Sequence, residues 1–144
     1  RLLEPLKGIH SARRAYAPAA RSLMADRLPN MDIVVSESAM ATRLHPIIRT
    51  HPESGARALY VSPSYTIGID GFIDQEAQAL LGYLFQISVD PRFTCRVRWE
   101  QGSLTIWDNR SVMHLPIGDY HGARREMYRT TVAGTEPMLE PCPD

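Results

Sequence analysis

An antiparallel β-sandwich or barrel carrying one long helix is the fold class this sequence predicts. Short runs with period-two alternation, or with a bias to β-branched and aromatic residues, recur along the chain between Pro/Gly turns. Only the segment after Asp74 sustains the 3.6-residue apolar period of a helix over several turns. Strands and helices do not alternate, so the βαβ units of a parallel sheet are absent. At 144 residues the chain can bury one real core and is too short for two ordinary domains.

Each element follows from local pattern. Leu2, Leu3, Leu6 and Ile9 recur at roughly helical spacing before Arg13 and Arg14, and predict a short helix over Leu2 to Arg14. From Ala17 to Arg43 no period survives Pro18, Pro29 and the small residues, so an irregular connection is expected. His45 to Thr50 and Arg57 to Val61 are β-rich and flank His51-Pro52-Glu53-Ser54-Gly55, which predicts a hairpin with a slightly long turn. Asp74 is the expected cap of the helix, whose Ala77, Leu80, Leu81, Leu84, Phe85 and Ile87 trace one face opposite Gln75, Glu76, Gln78 and Gln86. Pro91 bars its continuation. Phe93, Cys95, Val97 and Trp99 alternate with Thr94, Arg96 and Arg98, the pattern of a strand buried on one face. After a turn at Glu100-Gln101-Gly102, strands are expected over Leu104 to Trp107, Ser111 to Leu115 and Arg125 to Val132. The sequence contains no internal repeat and no low-complexity tract.

Sixteen Lys and Arg balance sixteen Asp and Glu without a block of like charge, which excludes the basic footprint of a nucleic-acid binder. Small molecules and copies of the same chain, in a homo-oligomer, are the expected partners. No apolar run approaches the ~20 residues that cross a bilayer, and no apolar signal segment opens the sequence. A soluble cytoplasmic protein without a membrane partner is therefore expected. Cys95 and Cys142 have neither metal-site nor disulfide-framework spacing, and are expected to be free thiols in a reducing compartment. The opening residue is Arg1, leading straight into an amphipathic run, as in the interior of a longer protein.

The chemistry-bearing residues concentrate in the last third. On a strand, Arg125, Met127 and Arg129 share one face and Glu126, Tyr128 and Thr130 the other, with the two arginine Cα atoms about 13 Å apart at about 3.3 Å per residue. A guanidinium turned inward needs an anion, and its planar donor fork suits carboxylate, sulfonate, sulfate or phosphate. The competing reading is two solvated surface charges. His114 lies in the apolar run Val112-Met113-His114-Leu115-Pro116, where a hydrogen-bonded core histidine and a metal ligand are both open. His51-Pro52-Glu53 is formally half of a two-histidine, one-carboxylate iron site, but a Pro/Gly turn is a poor platform for rigid coordination.

Taken in order, His45-Pro46-Ile47-Ile48-Arg49-Thr50-His51-Pro52-Glu53-Ser54-Gly55, Ala58-Leu59-Tyr60-Val61, Arg96-Val97-Arg98-Trp99, Trp107-Asp108-Asn109-Arg110, His114, Asp119-Tyr120, Arg124-Arg125 and Arg129 resemble the C-terminal half of the taurine dioxygenase family. The resemblance runs from about Leu6 to Pro137. It implies a double-stranded β-helix, or jelly roll, of which residues 1–144 are a single partial domain lacking the N-terminal part. It further implies a dioxygenase that uses Fe(II) and 2-oxoglutarate with O₂ to hydroxylate a small anionic organic substrate next to its heteroatom. A sulfonate, an alkyl sulfate and an aryloxyalkanoate are the substrate classes it offers. By the same resemblance His114 is the distal iron ligand and the catalytic residue, Arg125 pairs with the far carboxylate of 2-oxoglutarate, Arg129 holds the substrate's acidic group, and Tyr65 walls the substrate pocket.

The departures are specific. The family's iron site begins with an upstream His-x-Asp pair, and this sequence contains no His-x-Asp at all, so it holds one ligand of three. Ser62 stands where many relatives have Asn, and Leu115-Pro116 replaces a more polar pair. Two other readings are carried forward: a non-catalytic jelly-roll binding module without a complete metal site, and a metal-dependent hydrolase using His51, Glu53 and His114.

Overall fold

The computed structural model describes residues 1–20, 34–117 and 122–140. Among these described residues are five strands: β1 (Lys7–Ser11), β2 (Thr42–Pro46), β3 (Ile48–Thr50), β4 (Arg57–Leu59) and β5 (Thr66–Ile69). Among the described residues two α-helices accompany them, α1 (Arg13–Tyr16) and α2 (Asp74–Ser88). One antiparallel sheet has the order β2-β1-β5, and β3 pairs with β4 in a second. The expected antiparallel character is borne out, as two partial sheets; a complete jelly roll is not among the described residues.

The N-terminal expectation is overturned. Lys7–Ser11 is not helical but forms the central strand of the larger sheet, and only Arg13–Tyr16 is helix. Pro5 removes a helix hydrogen bond, Gly8 disfavours a helix interior, and β2 and β5 satisfy the backbone of β1 from both edges. Long-range pairing thus outweighs an apolar spacing that local reading assigns to a helix.

The hairpin is borne out, and in it Ile48 opposes Leu59, Arg49 opposes Ala58 and Thr50 opposes Arg57. Its turn closes through His51 N–H to Ala56 C=O at 2.8 Å and Gly55 N–H to His51 C=O at 2.9 Å. Gly55 has φ 68°, a conformation that costs a side chain-bearing residue. The run from His45 to Thr50 is two strands, not one. Pro46 ends β2, and Ile47 crosses to the other sheet, donating to Leu6 C=O at 3.0 Å and accepting from Tyr60 N–H at 2.6 Å. Fully buried, Ile47 stitches the two sheets together.

The long helix is borne out, with its cap one residue earlier than expected. Ile73 is the N-cap, its N–H donating to the Glu76 carboxylate at 3.4 Å, while Asp74 is the first helical residue. Both carboxylates then lie in the first turn, where the helix dipole favours negative charge. Ala77, Leu81 and Leu84, on one face, close the core over Ile47, Val61 and Ile69. Leu81 has no exposed surface, so Leu81→Ala is expected to cost about 2–5 kcal/mol in the intact protein, read as a lower urea midpoint at unchanged slope.

Beyond the helix the expected strands are corrected. Phe93 to Trp99, Leu104 to Trp107, Ser111 to Leu115 and Arg125 to Val132 carry no ladder among the described residues. Their apolar side chains lie open, with Leu104 85%, Ile106 84% and Val132 90% exposed. Alternation marks a face suited to burial, but a strand exists only through its neighbour's hydrogen bonds, and no described neighbour supplies them.

Candidate active site

The Trp107-Asp108-Asn109-Arg110 run forms a turn held by side chains. Asp108 C=O accepts from Ser111 N–H at 3.1 Å and Val112 N–H at 3.0 Å. The Asp108 carboxylate accepts from Arg110 through Nε at 2.9 and 3.0 Å and through Nη2 at 2.6 Å. From the β3–β4 turn, His51 Nε2 meets Asp108 Oδ2 at 3.0 Å, and Arg110 Nη1 donates to Glu53 at 2.9 Å. Arg110 first, then His51, hold the Asp108 carboxyl well below the usual carboxylate range. Asp108 in turn, with Glu53, raises the Arg110 guanidinium above its ordinary value. Trp107 Nε1–H donates to Asn109 at 2.9 Å, and its indole lies against the His114 ring, centroids 4.8 Å apart at 49°.

His114 itself is exposed. Among the described residues its contact is the indole of Trp107, and neither ring nitrogen is taken by a hydrogen bond. An imidazole with a free lone pair suits Fe(II). Among the described residues no three His, Cys, Asp or Glu side chains gather as a metal cluster, so the chain offers His114 as one donor of a larger set.

The turn His51-Pro52-Glu53 is not a metal pair. His51 Nδ1 accepts from Glu53 N–H at 3.3 Å and Ser54 N–H at 3.2 Å, which places the ring proton on Nε2, facing Asp108. Both nitrogens are engaged and the Glu53 carboxylate is on Arg110, leaving a hydrolase based on His51 and Glu53 without free donors. The clamp these residues build was not expected from the sequence. Its signal was a charged pair two apart, Asp108 and Arg110, in a turn.

Tyr65 occupies the loop before β5. That loop is pinned by Tyr65 N–H and Thr66 N–H to Ser62 C=O at 3.2 and 2.8 Å, and by Arg14 Nη1 to the Pro63 and Thr66 carbonyls, both at 3.0 Å. Burial and a bond with Tyr16 push the Tyr65 phenol up to about 12, against the pull of the Arg129 charge. Arg129 therefore lies within electrostatic reach of Tyr65. Glu126 accepts from both Arg124 and Tyr128, which gathers the side chains of 124, 126 and 128. Arg125 and Arg129 are both exposed.

A second cluster was not foreseen. His10 stacks on Tyr60 with centroids 5.5 Å apart, His45 meets both rings edge-on, and Arg49, only 3% exposed, lies with its Cζ 5.0 Å from the Tyr60 centroid. Burial first, then His45, lowers His10 from 6.5 to about 4. The folded state thus keeps His10 neutral where the unfolded chain takes up a proton. Stability is fully present above about pH 6.5 and declines as pH falls toward 4, by on the order of 1 kcal/mol after discounting for the ring's partial exposure. Urea denaturation at pH 7 and pH 5 checks this, with His10→Asn expected to flatten the difference.

Residues 1–131 match the taurine catabolism dioxygenase TauD, TfdA family. The chain belongs to this family. The resemblance read from its motifs is borne out, and relatives support the membership. The alpha-ketoglutarate-dependent dioxygenase cnsM of Penicillium expansum is 33% identical over 138 residues, covering 94% of this chain and 36% of the relative. The alpha-ketoglutarate-dependent sulfate ester dioxygenase of Pseudomonas putida is 32% identical over 137 residues, covering 95% of this chain and 45% of the relative. A crystal structure described as a candidate alpha-ketoglutarate-dependent taurine dioxygenase from Burkholderia xenovorans superposes with a TM-score of 0.51 at 33% identity, over 70% of this chain and 28% of that one. This TauD/TfdA chain thus spans 36% and 45% of the length of the two curated relatives. Among its described residues no helix is long and apolar enough to cross a membrane.

Proposed function

We propose that this chain is the C-terminal part of the jelly roll of an Fe(II)- and 2-oxoglutarate-dependent dioxygenase. The reading is carried by family membership over residues 1–131, a span that includes Tyr65, His114, Arg125 and Arg129. In it, His114 would give Fe(II) one nitrogen, and a His-x-Asp pair outside these residues would complete the ligand set. Arg125 binds the far carboxylate of 2-oxoglutarate and so points its keto acid end at the metal. Arg129 holds the anionic head of the substrate beside Tyr65, whose ring excludes water from the reacting carbon. When bound, iron supplies the oxygen chemistry that no side chain of this protein can perform.

The balance is one O₂ and one 2-oxoglutarate consumed per substrate, giving succinate, CO₂ and a hydroxyl on the carbon next to the heteroatom. That product breaks into a carbonyl compound and the released anion. Sulfonates, alkyl sulfates and aryloxyalkanoates fit a guanidinium beside an aromatic wall, and the sulfate ester dioxygenase relative supports the class. A cytoplasmic homo-oligomer belongs to the same reading.

The test is succinate formation by the intact protein against one member of each class. Arg129→Ala is expected to raise the substrate KM by about 10–100-fold, as losing a charge-assisted contact does, and to leave the 2-oxoglutarate KM within about twofold. Iron-independent succinate formation, or equal effects on both KM values, would contradict the assignment.

A further inference from the structure

We infer that His51 is a positioning residue for His114, acting through Asp108 and Trp107. The inference rests on the reading of His114 as a metal ligand. His114 sits on a segment without ladder hydrogen bonds among the described residues, so its backbone alone does not fix its ring. A metal ligand needs that ring held to about 0.5 Å. The side chains upstream supply the restraint. His51, 57 residues before Asp108 in sequence and standing in the β3–β4 turn, grips its carboxylate at 3.0 Å. Asp108 builds the turn from its own carbonyl, and Trp107, next in the chain, is locked by Asn109 at 2.9 Å. The indole so fixed carries the His114 ring at 4.8 Å. Glu53 and Arg110 add a second tie to the same hairpin at 2.9 Å.

Without His51, Asp108 keeps Arg110, but Arg110 belongs to the same turn and among the described residues ties it to the hairpin only through exposed Glu53. The hairpin is a firmer base, because β3 and β4 hydrogen-bond to each other and Ile47 roots them in the core. His51 therefore transfers the rigidity of the core to a ligand 63 positions further along the chain (114 − 51).

The experiment is Co(II) titration of the intact protein by calorimetry, well below the melting temperature, for wild type, His51→Ala, His51→Gln, Trp107→Phe and His114→Ala. His51→Ala is expected to weaken Co(II) binding about tenfold at unchanged stoichiometry, the scale of lost outer-sphere support for a metal ligand. His51→Gln, whose amide can donate to Asp108 and accept from the turn, is expected to recover most of the affinity. Trp107→Phe keeps the ring without the bond to Asn109, should lose about threefold, and answers the question if the alanine variant does not fold. Wild-type affinity in His51→Ala or Trp107→Phe with only a lower melting temperature overturns the inference. Loss of stoichiometric binding in His51→Ala to the same degree as in His114→Ala also overturns it, by making His51 a ligand. Wild-type affinity in His114→Ala instead removes the metal assignment itself, and the inference with it.

Discussion

Replacing His114 by alanine in the intact protein is expected to reduce Fe(II) affinity by more than about 100-fold and succinate formation by about 1,000-fold or more. Loss of a support behind a ligand already costs 10–100-fold, and loss of the ligand itself costs more. Each tenfold is about 1.4 kcal/mol. The substitution is well suited to the question because His114 is exposed and bears on no buried contact: among the described residues its ring touches the Trp107 indole. A drop in metal affinity without a comparable drop in urea midpoint would therefore report on coordination and not on folding. Anaerobic Fe(II) titration with parallel denaturation curves makes the separation.

The second large effect concerns Arg125. Arg125→Ala is expected to raise the KM for 2-oxoglutarate by about 30–1,000-fold, corresponding to about 2–4 kcal/mol for losing one partner of a charge-assisted guanidinium–carboxylate pair. Fe(II) affinity measured without 2-oxoglutarate should not change. Arg125→Lys restores the charge without the planar fork and is expected to recover only part of the loss. Steady-state succinate assays at varied 2-oxoglutarate, beside Fe(II) titrations, check both halves. An equal loss in metal affinity would place Arg125 in the fold and not at the co-substrate.

The two parts of this molecule were not equally legible in sequence. α2 was readable because its signal is local: apolar residues at helical spacing and a carboxylate-rich first turn sit within the element itself. The β3–β4 hairpin was readable because Gly55 and Pro52 announce the reversal. β1 was not, because its stability comes from β2 and β5, strands 31 or more positions away (42 − 11 for the nearer pair of ends), and nothing inside Lys7–Ser11 encodes them. The reverse error befell Phe93 to Trp99 and Arg125 to Val132. Their alternation was real, but a pattern that fits burial does not supply the surface that buries it.

The candidate site divides the same way. His114, Arg125, Arg129 and Tyr65 were singled out through the resemblance alone, and the charge of Arg129 reaches Tyr65. The joint between His51 and Asp108 was invisible because its members come from separate turns, and a histidine next to a proline and a glutamate reads locally as a metal pair. What distinguishes a ligand from a lock is the occupation of the ring nitrogens, and that is a property of three dimensions.

The central claim is that the imidazole at position 114 and the guanidinium at position 125 serve one small diacid through one metal. Calorimetric titration of 2-oxoglutarate into the intact protein with and without Co(II), repeated in His114→Ala, tests this most directly, because ligands that share a site must change each other's affinity by the same factor. Co(II) is expected to tighten 2-oxoglutarate binding about tenfold or more in the wild type, a coupling of about 1.4 kcal/mol, and His114→Ala to erase the difference. Equal 2-oxoglutarate affinity with and without metal, or a metal effect that survives in His114→Ala, would contradict it.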